Sequence, residues 1–187
     1  MLVGNGMAGT SPGVDAPREE VRAYLAGLDP AWAGAGLEVA GLLALLVFAV
    51  GLSRRIGGAW GALALAGGVA GVAVKLATAI PLGALWLRPE AVDPAVAGLV
   101  LDVGAIGFAV TGALLAALPA AAAASGVLPR WLAILGGVTV VALLAQVPLF
   151  RQEFGLGFML LMLWTLACGV VLLRGRDLGA RAALQPA

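Results

Sequence analysis

The chain has 187 residues, of which 62% are hydrophobic and 11% are charged. Soluble domains are about 25% charged, so this composition excludes an ordinary soluble domain and indicates an integral membrane protein. The net charge of +1 without a basic cluster argues against a nucleic-acid partner, and the absence of histidine argues against haem, zinc and di-iron chemistry, so we expect no metal and no cofactor.

The first two segments of the chain precede the membrane region. Residues 1–14 are glycine-rich with no apolar run, which predicts a disordered tail. Residues 15–30 predict an amphipathic interfacial helix on the extracytoplasmic side, lying flat or covering the mouth of the bundle, with a plain connecting helix as the alternative. Asp15 is a plausible N-cap of this helix. One apolar stripe at helical spacing is formed by Val21, Tyr24, Leu25 and Leu28.

Residues 31–174 contain five apolar runs long enough to cross a membrane. Runs of this length predict helices rather than the short strands of a barrel. We therefore predict an all-α integral membrane fold, with five transmembrane helices in an antiparallel bundle after the amphipathic helix. The spans are expected at about residues 31–52, 59–86, 96–121, 131–150 and 154–173, followed by a basic cytoplasmic tail at residues 175–187.

Arginine positions set the expected orientation, because cytoplasmic loops carry an excess of basic residues. Six arginines fall on the side of the C-terminus and four on the side of the N-terminus. We therefore expect a multi-pass protein of the cell membrane with its N-terminus outside and its C-terminus in the cytoplasm. The six are Arg54, Arg55, Arg130, Arg174, Arg176 and Arg181, and the four are Arg18, Arg22, Arg88 and Arg151.

The second span carries a track of small residues that ends in a charge. The track consists of Gly57, Gly61, Ala64, Gly68 and Gly71, followed by Lys75. Small residues let helices approach closely in lipid, and an ionisable group within a span marks a candidate functional site. The span exceeds a hydrocarbon core of roughly 30 Å, so it must tilt or bend at Pro81.

Four polar side chains from four spans are expected at similar depth in the outer third of the bilayer. They are Glu38, Lys75, Asp102 and Gln146. Asp102 shares a face of small residues with Gly98, Ala105, Ala109 and Gly112. If this face meets the track on the second span, Asp102 lies near Lys75. A lone charge facing lipid costs roughly 3 kcal/mol at mid-depth, which favours pairing inside the bundle.

This cluster has three interpretations. The first is a structural ion pair, between Lys75 and either Asp102 or Glu38, that fixes helix register. The second is a polar pocket for a small or lipid-like molecule, because two carboxylates around one lysine suit a general acid or a proton carrier. The third is a transport route, which is disfavoured by the lack of an internal repeat and of polar groups in the inner halves of the spans.

The expected ligand-binding residues are these four side chains together with Thr78 and three loop residues at the rim of the pocket. The rim residues are Arg88, Arg151 and Glu153, which could equally be solvated loop charges that anchor span ends. Cys168 is expected to be a small packing residue. Four threonines are expected to bond to their own helix backbone, namely Thr78, Thr111, Thr139 and Thr165.

The chain resembles, in layout, a broad class of multi-pass membrane proteins of high-GC actinobacteria. The resemblance rests on the segments VRAYLAGLDPAW, LVLDVGAIGFAVTGALLAA and SGVLPRWLAILGG, and on a final leucine-rich span with an arginine tail. It covers residues 18–175 loosely. The class has no established activity, so the resemblance implies a topology and no chemistry.

Our functional expectation is a membrane protein whose pocket binds a lipophilic small molecule or a membrane-protein partner, including a second copy of the chain. The alternative is a membrane-embedded acid/base enzyme, a cyclase or isomerase acting on an isoprenoid or polyketide-like substrate. In that enzyme Asp102 or Glu38 would donate a proton and Lys75 would tune it. A second alternative is a structural subunit of a membrane complex.

Overall fold

The computed structural model describes residues 16–26, 32–87, 91–148 and 155–183, and within these ranges the regular elements are all helical. The prediction of an all-α fold is therefore confirmed for the described part of the chain. The tail predicted at residues 1–14 lies outside these ranges. The helices are α1 (Arg18–Ala26), α2 (Trp32–Ile56), α3 (Gly58–Leu87), α4 (Pro94–Leu115), α5 (Ala117–Ala124), α6 (Arg130–Ala145) and α7 (Leu156–Ala183).

Within the described ranges, four helical stretches are long and apolar enough to cross a membrane, as expected of a membrane protein. They are Gly36–Ile56, Gly58–Leu85, Pro94–Ala124 and Leu156–Arg174. The predicted fourth span corresponds to α6, which is apolar but has only 16 residues. At 1.5 Å per residue α6 is about 24 Å long, which is less than a hydrocarbon core of roughly 30 Å.

Helices α2 and α3 form a hairpin with almost no connecting loop. The α2 helix ends at Ile56 and α3 begins at Gly58. Gly57 and Gly58 have φ angles of 69° and 54°, a left-handed conformation that glycine adopts without the steric cost of a Cβ atom. The Gly57 amide donates to the Ser53 carbonyl at 2.9 Å. The chain therefore reverses direction within a single turn.

Helices α3 and α4 pack closely because glycines line their contact. A Cβ atom added at Gly67 would lie 2.7 Å from the carbonyl oxygen of Leu114, and one added at Gly107 would lie 2.7 Å from Oγ1 of Thr78. Early residues of α3 therefore meet late residues of α4. The α3 helix continues through Pro81 without interruption.

The third apolar stretch contains a break. The α4 helix ends at Leu115 and α5 begins at Ala117, with Ala116 in a turn between them. Pro119 has no amide hydrogen and so leaves the Leu115 carbonyl without its usual helical donor. Ala116 nevertheless keeps near-helical angles, φ −59° and ψ −22°, so α5 continues in the direction of α4.

The main hydrophobic core lies where α5, α6 and α7 meet α2 and α3. Its centre is Trp164, which is fully buried, packs edge-on against Phe48 and donates its indole N–H to the Leu132 carbonyl at 3.2 Å. Gly136 gives the indole room, since a Cβ atom there would lie 3.0 Å from its nitrogen. This core fixes α6 against α7.

A second, smaller cluster attaches α1 to one end of the bundle. Val21 and Leu25 of α1 are buried together with Leu85, Ala97 and Leu101, while Leu28 of the predicted stripe lies outside the described residues. The cluster defines the α1 end of the bundle. The opposite end is called the arginine end, because Arg54, Arg55 and Arg130 lie there in α2 and α6.

Candidate functional site

The candidate site is an ion pair between α2 and α3. The Lys75 Nζ atom lies 2.9 Å from Oε1 of Glu38. The lysine side chain is 10% exposed and the glutamate side chain 17% exposed. A paired ammonium and carboxylate between two apolar helices are far less costly in lipid than either charge alone. Of the two acidic partners expected for Lys75, the structure selects Glu38.

The geometry of the hairpin explains this choice. Glu38 precedes Gly57 by nineteen residues and Lys75 follows it by eighteen. In a hairpin that reverses at Gly57, positions equally far from the turn lie at the same height. Gly61 and Ser53 each lie four positions from Gly57, and their close contact holds the two helices in this register. The sequence thus contained a signal for the pair, namely the symmetry of the two charges about the glycine turn.

An aromatic ring completes the surroundings of the lysine. The Lys75 Nζ atom is 5.9 Å from the centre of the Phe108 ring on α4, within the range of a cation–π interaction. Phe108 in turn packs on Phe158 of α7, with ring centres 4.2 Å apart. Sequence reasoning missed both phenylalanines, because locating them requires the register between α3 and α4.

Asp102 lies on α4 at a different height from the Lys75–Glu38 pair. The contact between Gly107 and Thr78 sets the register, so Lys75 lies near the level of Phe108. Asp102 comes six residues before Phe108, about 9 Å along the helix axis toward the α1 end. It is partly buried and makes no hydrogen bond or ion pair with the residues that the structure describes.

The face of small residues that carries Asp102 packs differently from the sequence-based expectation. A Cβ atom at Gly112 would meet Gln146, Phe158 and Leu143, so this face is directed toward α6 and α7 rather than α3. The α3 contact instead uses Gly107. The sequence-based expectation was wrong because α4 has small residues on more than one face. Their pattern alone does not identify which face packs against which neighbouring helix.

Gln146 lies at the end of α6 and is 3% exposed. Its amide occupies space left by two glycines. A Cβ atom would lie 2.8 Å from its Nε2 if added at Gly157, and 3.3 Å from its Oε1 if added at Gly112. Phe158 also lies against Gly112. Gln146 is therefore a neighbour of Phe158.

Three of the four threonines bond to their own helices, as predicted. The hydroxyl of Thr78 donates to the Val74 carbonyl at 3.0 Å, and Thr139 and Thr165 make equivalent bonds to residues four positions earlier. Thr111 is the exception. It is fully buried, and its hydroxyl has no hydrogen-bond partner within the described ranges.

The three predicted rim residues, Arg88, Arg151 and Glu153, lie outside the described residues. Cys168 is fully buried in the main core, in agreement with a packing role.

No protein-family model matches the sequence, and comparisons with curated proteins and with solved structures find no match. The functional assignment therefore rests on this chain's own residues.

The pair retains capacity to bind a polar group. A lysine ammonium has three donors and a carboxylate about four acceptor positions, and Oε1 of Glu38 has no well-aligned hydrogen-bond donor within the described residues although it lies 2.9 Å from Nζ. Glu38 also lies at an apolar edge of the bundle, because its neighbours Leu37 and Val39 are 55% and 49% exposed. The site thus combines hydrogen-bonding capacity with access from an apolar surface.

Proposed function

We propose that this protein is a multi-pass membrane protein that binds a lipophilic small molecule at the Lys75–Glu38 pair. The observation that carries the proposal is the 2.9 Å ion pair held between two membrane-spanning helices, with the Glu38 side chain still 17% exposed. A polar group of the ligand would bond to the ammonium and carboxylate. Its apolar body would lie along the exposed side chains of α2.

The proposal includes an antiparallel bundle of five membrane helices, of which α6 is the shortest. Contacts at both ends of α6 support this arrangement. Its first turn meets Trp164 through the Leu132 carbonyl, and Gln146 at its end meets Gly157 near the start of α7. The chain therefore returns along α7 toward the arginine end.

The proposed orientation places the arginine end in the cytoplasm and the N-terminus outside. Arg54, Arg55 and Arg130 belong to this end, and Leu172 of α7 lines a cavity together with Arg54 and Arg55. Basic residues gather on the cytoplasmic side of membrane proteins. Glu38 is six residues from Trp32, about 9 Å from the α1 end of α2, so the ligand would enter from the outer leaflet.

The test compares the lipophilic molecules that co-purify with different variants of the full chain. Lys75→Met together with Glu38→Leu removes both charges at once and so avoids leaving one of them unpaired. We expect mass spectrometry of organic extracts to find a molecule with the wild-type protein that is at least tenfold depleted in this double variant, about 1.4 kcal/mol of binding.

Asp102→Asn is the matched control, because it removes a carboxylate from the same region without touching the pair. It should keep most of the bound molecule. Equal retention by the wild-type protein and a stably folded double variant would identify the pair as a structural link between helices and would exclude the proposed site.

A further inference from the structure

A cavity of about 290 Å³ lies between α2 and α7 at the arginine end of the bundle. The described residues that line it are Gly51, Arg54, Arg55, Leu172 and Leu173. Arg54 follows Glu38 by sixteen residues, about 24 Å along α2. The cavity is therefore separate from the ion-pair site.

The two arginines at this cavity have unused binding capacity. Arg54 and Arg55 are exposed and form no ion pair with any residue that the structure describes. They lie in the last turn of α2, where the helix dipole favours positive charge. Each guanidinium presents five donors in a planar fork that matches the oxygens of a phosphate group.

Apart from the two arginines, the lining residues that the structure describes are apolar or have no side chain. Leu172 and Leu173 supply hydrocarbon surface, and Leu173 is 63% exposed. Gly51 contributes no side chain, and a Cβ atom there would have no neighbour within 4 Å. A ligand that fits these walls has a negative head beside an apolar body.

Arginines at a span end can also reach the membrane surface without forming a site. Arg130 is an example of such an arginine for comparison. It is exposed at the same end of the bundle and is not among the residues that line this cavity. What distinguishes Arg54 and Arg55 is that both border one concave space between two helices. Basic pockets of this kind between spans bind anionic lipid head groups.

We propose that this cavity binds the phosphate head group of an anionic phospholipid. Arg54 and Arg55 bond to the phosphate oxygens, and an acyl chain lies along Leu172 and Leu173. This site does not depend on the function proposed for Lys75 and Glu38.

The test measures lipid binding by native mass spectrometry on the full chain in mild detergent. Phosphatidylglycerol is the probe, with phosphatidylcholine and inorganic phosphate as comparisons. We expect retention of phosphatidylglycerol over phosphatidylcholine, and an affinity at least about tenfold lower in the Arg54→Gln/Arg55→Gln variant. Arg130→Gln removes one charge from the same end and should change the affinity less than about twofold.

A second pair of variants tests the cavity without changing any charge. Gly51→Leu fills the space between the helices and should weaken phosphatidylglycerol binding. Gly137→Leu is the control, because Gly137 is exposed on α6 and also has open space around it. It should bind the lipid like the wild-type protein.

Three results would overturn the proposal. Equal binding of the two phospholipids would show that the head group is not recognised. A loss in Arg130→Gln as large as that in the double variant would indicate a diffuse field at the membrane surface. Full displacement of phosphatidylglycerol by an equal concentration of inorganic phosphate would identify a site for the free anion instead.

Discussion

The Nζ atom of Lys75 and the Oε1 atom of Glu38 lie 2.9 Å apart on two helices that are joined by one glycine. The two residues stand eighteen and nineteen positions from Gly57. The turn and the ion pair therefore hold α2 against α3 at two well-separated heights.

Replacing one partner of this pair should destabilise the protein more than replacing both. Lys75→Met leaves the Glu38 carboxylate without its partner in an apolar environment, and we expect a loss of roughly 3 kcal/mol. Adding Glu38→Leu should recover most of that loss. Unfolding temperatures of the purified variants in one detergent would measure both effects, and additive losses would show that the two side chains do not interact.

Asp102→Asn should have little effect on stability. Asp102 has no ion pair with described residues, so its replacement by an isosteric amide should change the unfolding free energy by less than about 0.5 kcal/mol. Glu38→Gln, measured by the same thermal unfolding, serves as the comparison and should cost more. A larger loss in Asp102→Asn would place an important partner of this carboxylate outside the described residues.

Gly67→Ala should destabilise the contact between α3 and α4. The new methyl group would lie 2.7 Å from the backbone carbonyl oxygen of Leu114, which cannot move independently of its helix. We expect a cost of about 1–3 kcal/mol. Gly83→Ala is the matched control on the same helix, because no atom lies within 4 Å of the added group, and its better helix propensity should make it neutral or stabilising. Equal unfolding temperatures for the two variants would contradict the close packing.

Trp164→Phe should weaken the attachment of α7 to α6. The change removes the indole donor that bonds to the Leu132 carbonyl and leaves a gap in a fully buried site, so we expect a loss of about 1–3 kcal/mol. Trp60→Phe is the control, since Trp60 is 48% exposed. Chemical denaturation followed by circular dichroism would show whether the two losses differ.

Cysteine labelling tests the proposed orientation. The native Cys168 is fully buried, so it should give little background reaction with a membrane-impermeant reagent. Ala91→Cys should react from outside intact cells, and Ser125→Cys only after the membrane is opened. The reverse pattern would place the arginine end outside the cell.

Composition was sufficient to predict an all-α membrane fold, because apolar runs of this length admit few other structures. The position of Lys75 within an apolar run also predicted a charge inside the bundle. The sequence left both Asp102 and Glu38 as partners of Lys75, since glycines and alanines occur on several faces of α4 and make more than one helix register sterically acceptable. Phe108 was missed for the same reason, because its position beside Lys75 depends on the contact between Gly107 and Thr78.

The length of α6 illustrates a different limit. Its sequence is apolar up to Phe150, which predicted a span of ordinary length, whereas the helix ends at Ala145. Gln146 begins the turn, and its amide is directed into space left by Gly112 and Gly157. This contact brings residues of α4, α6 and α7 together in space, so no pattern within α6 alone could have predicted it.

The single-glycine connection between α2 and α3 has a consequence for how the protein enters the membrane. Since α2 and α3 can form their hairpin before the rest of the chain is made, Glu38 and Lys75 can meet before either one is exposed to lipid. The two charges then enter the bilayer as one neutral unit, without the separate penalties of an isolated carboxylate and an isolated ammonium. The glycine turn thus places each of the two charges where it offsets the cost of burying the other.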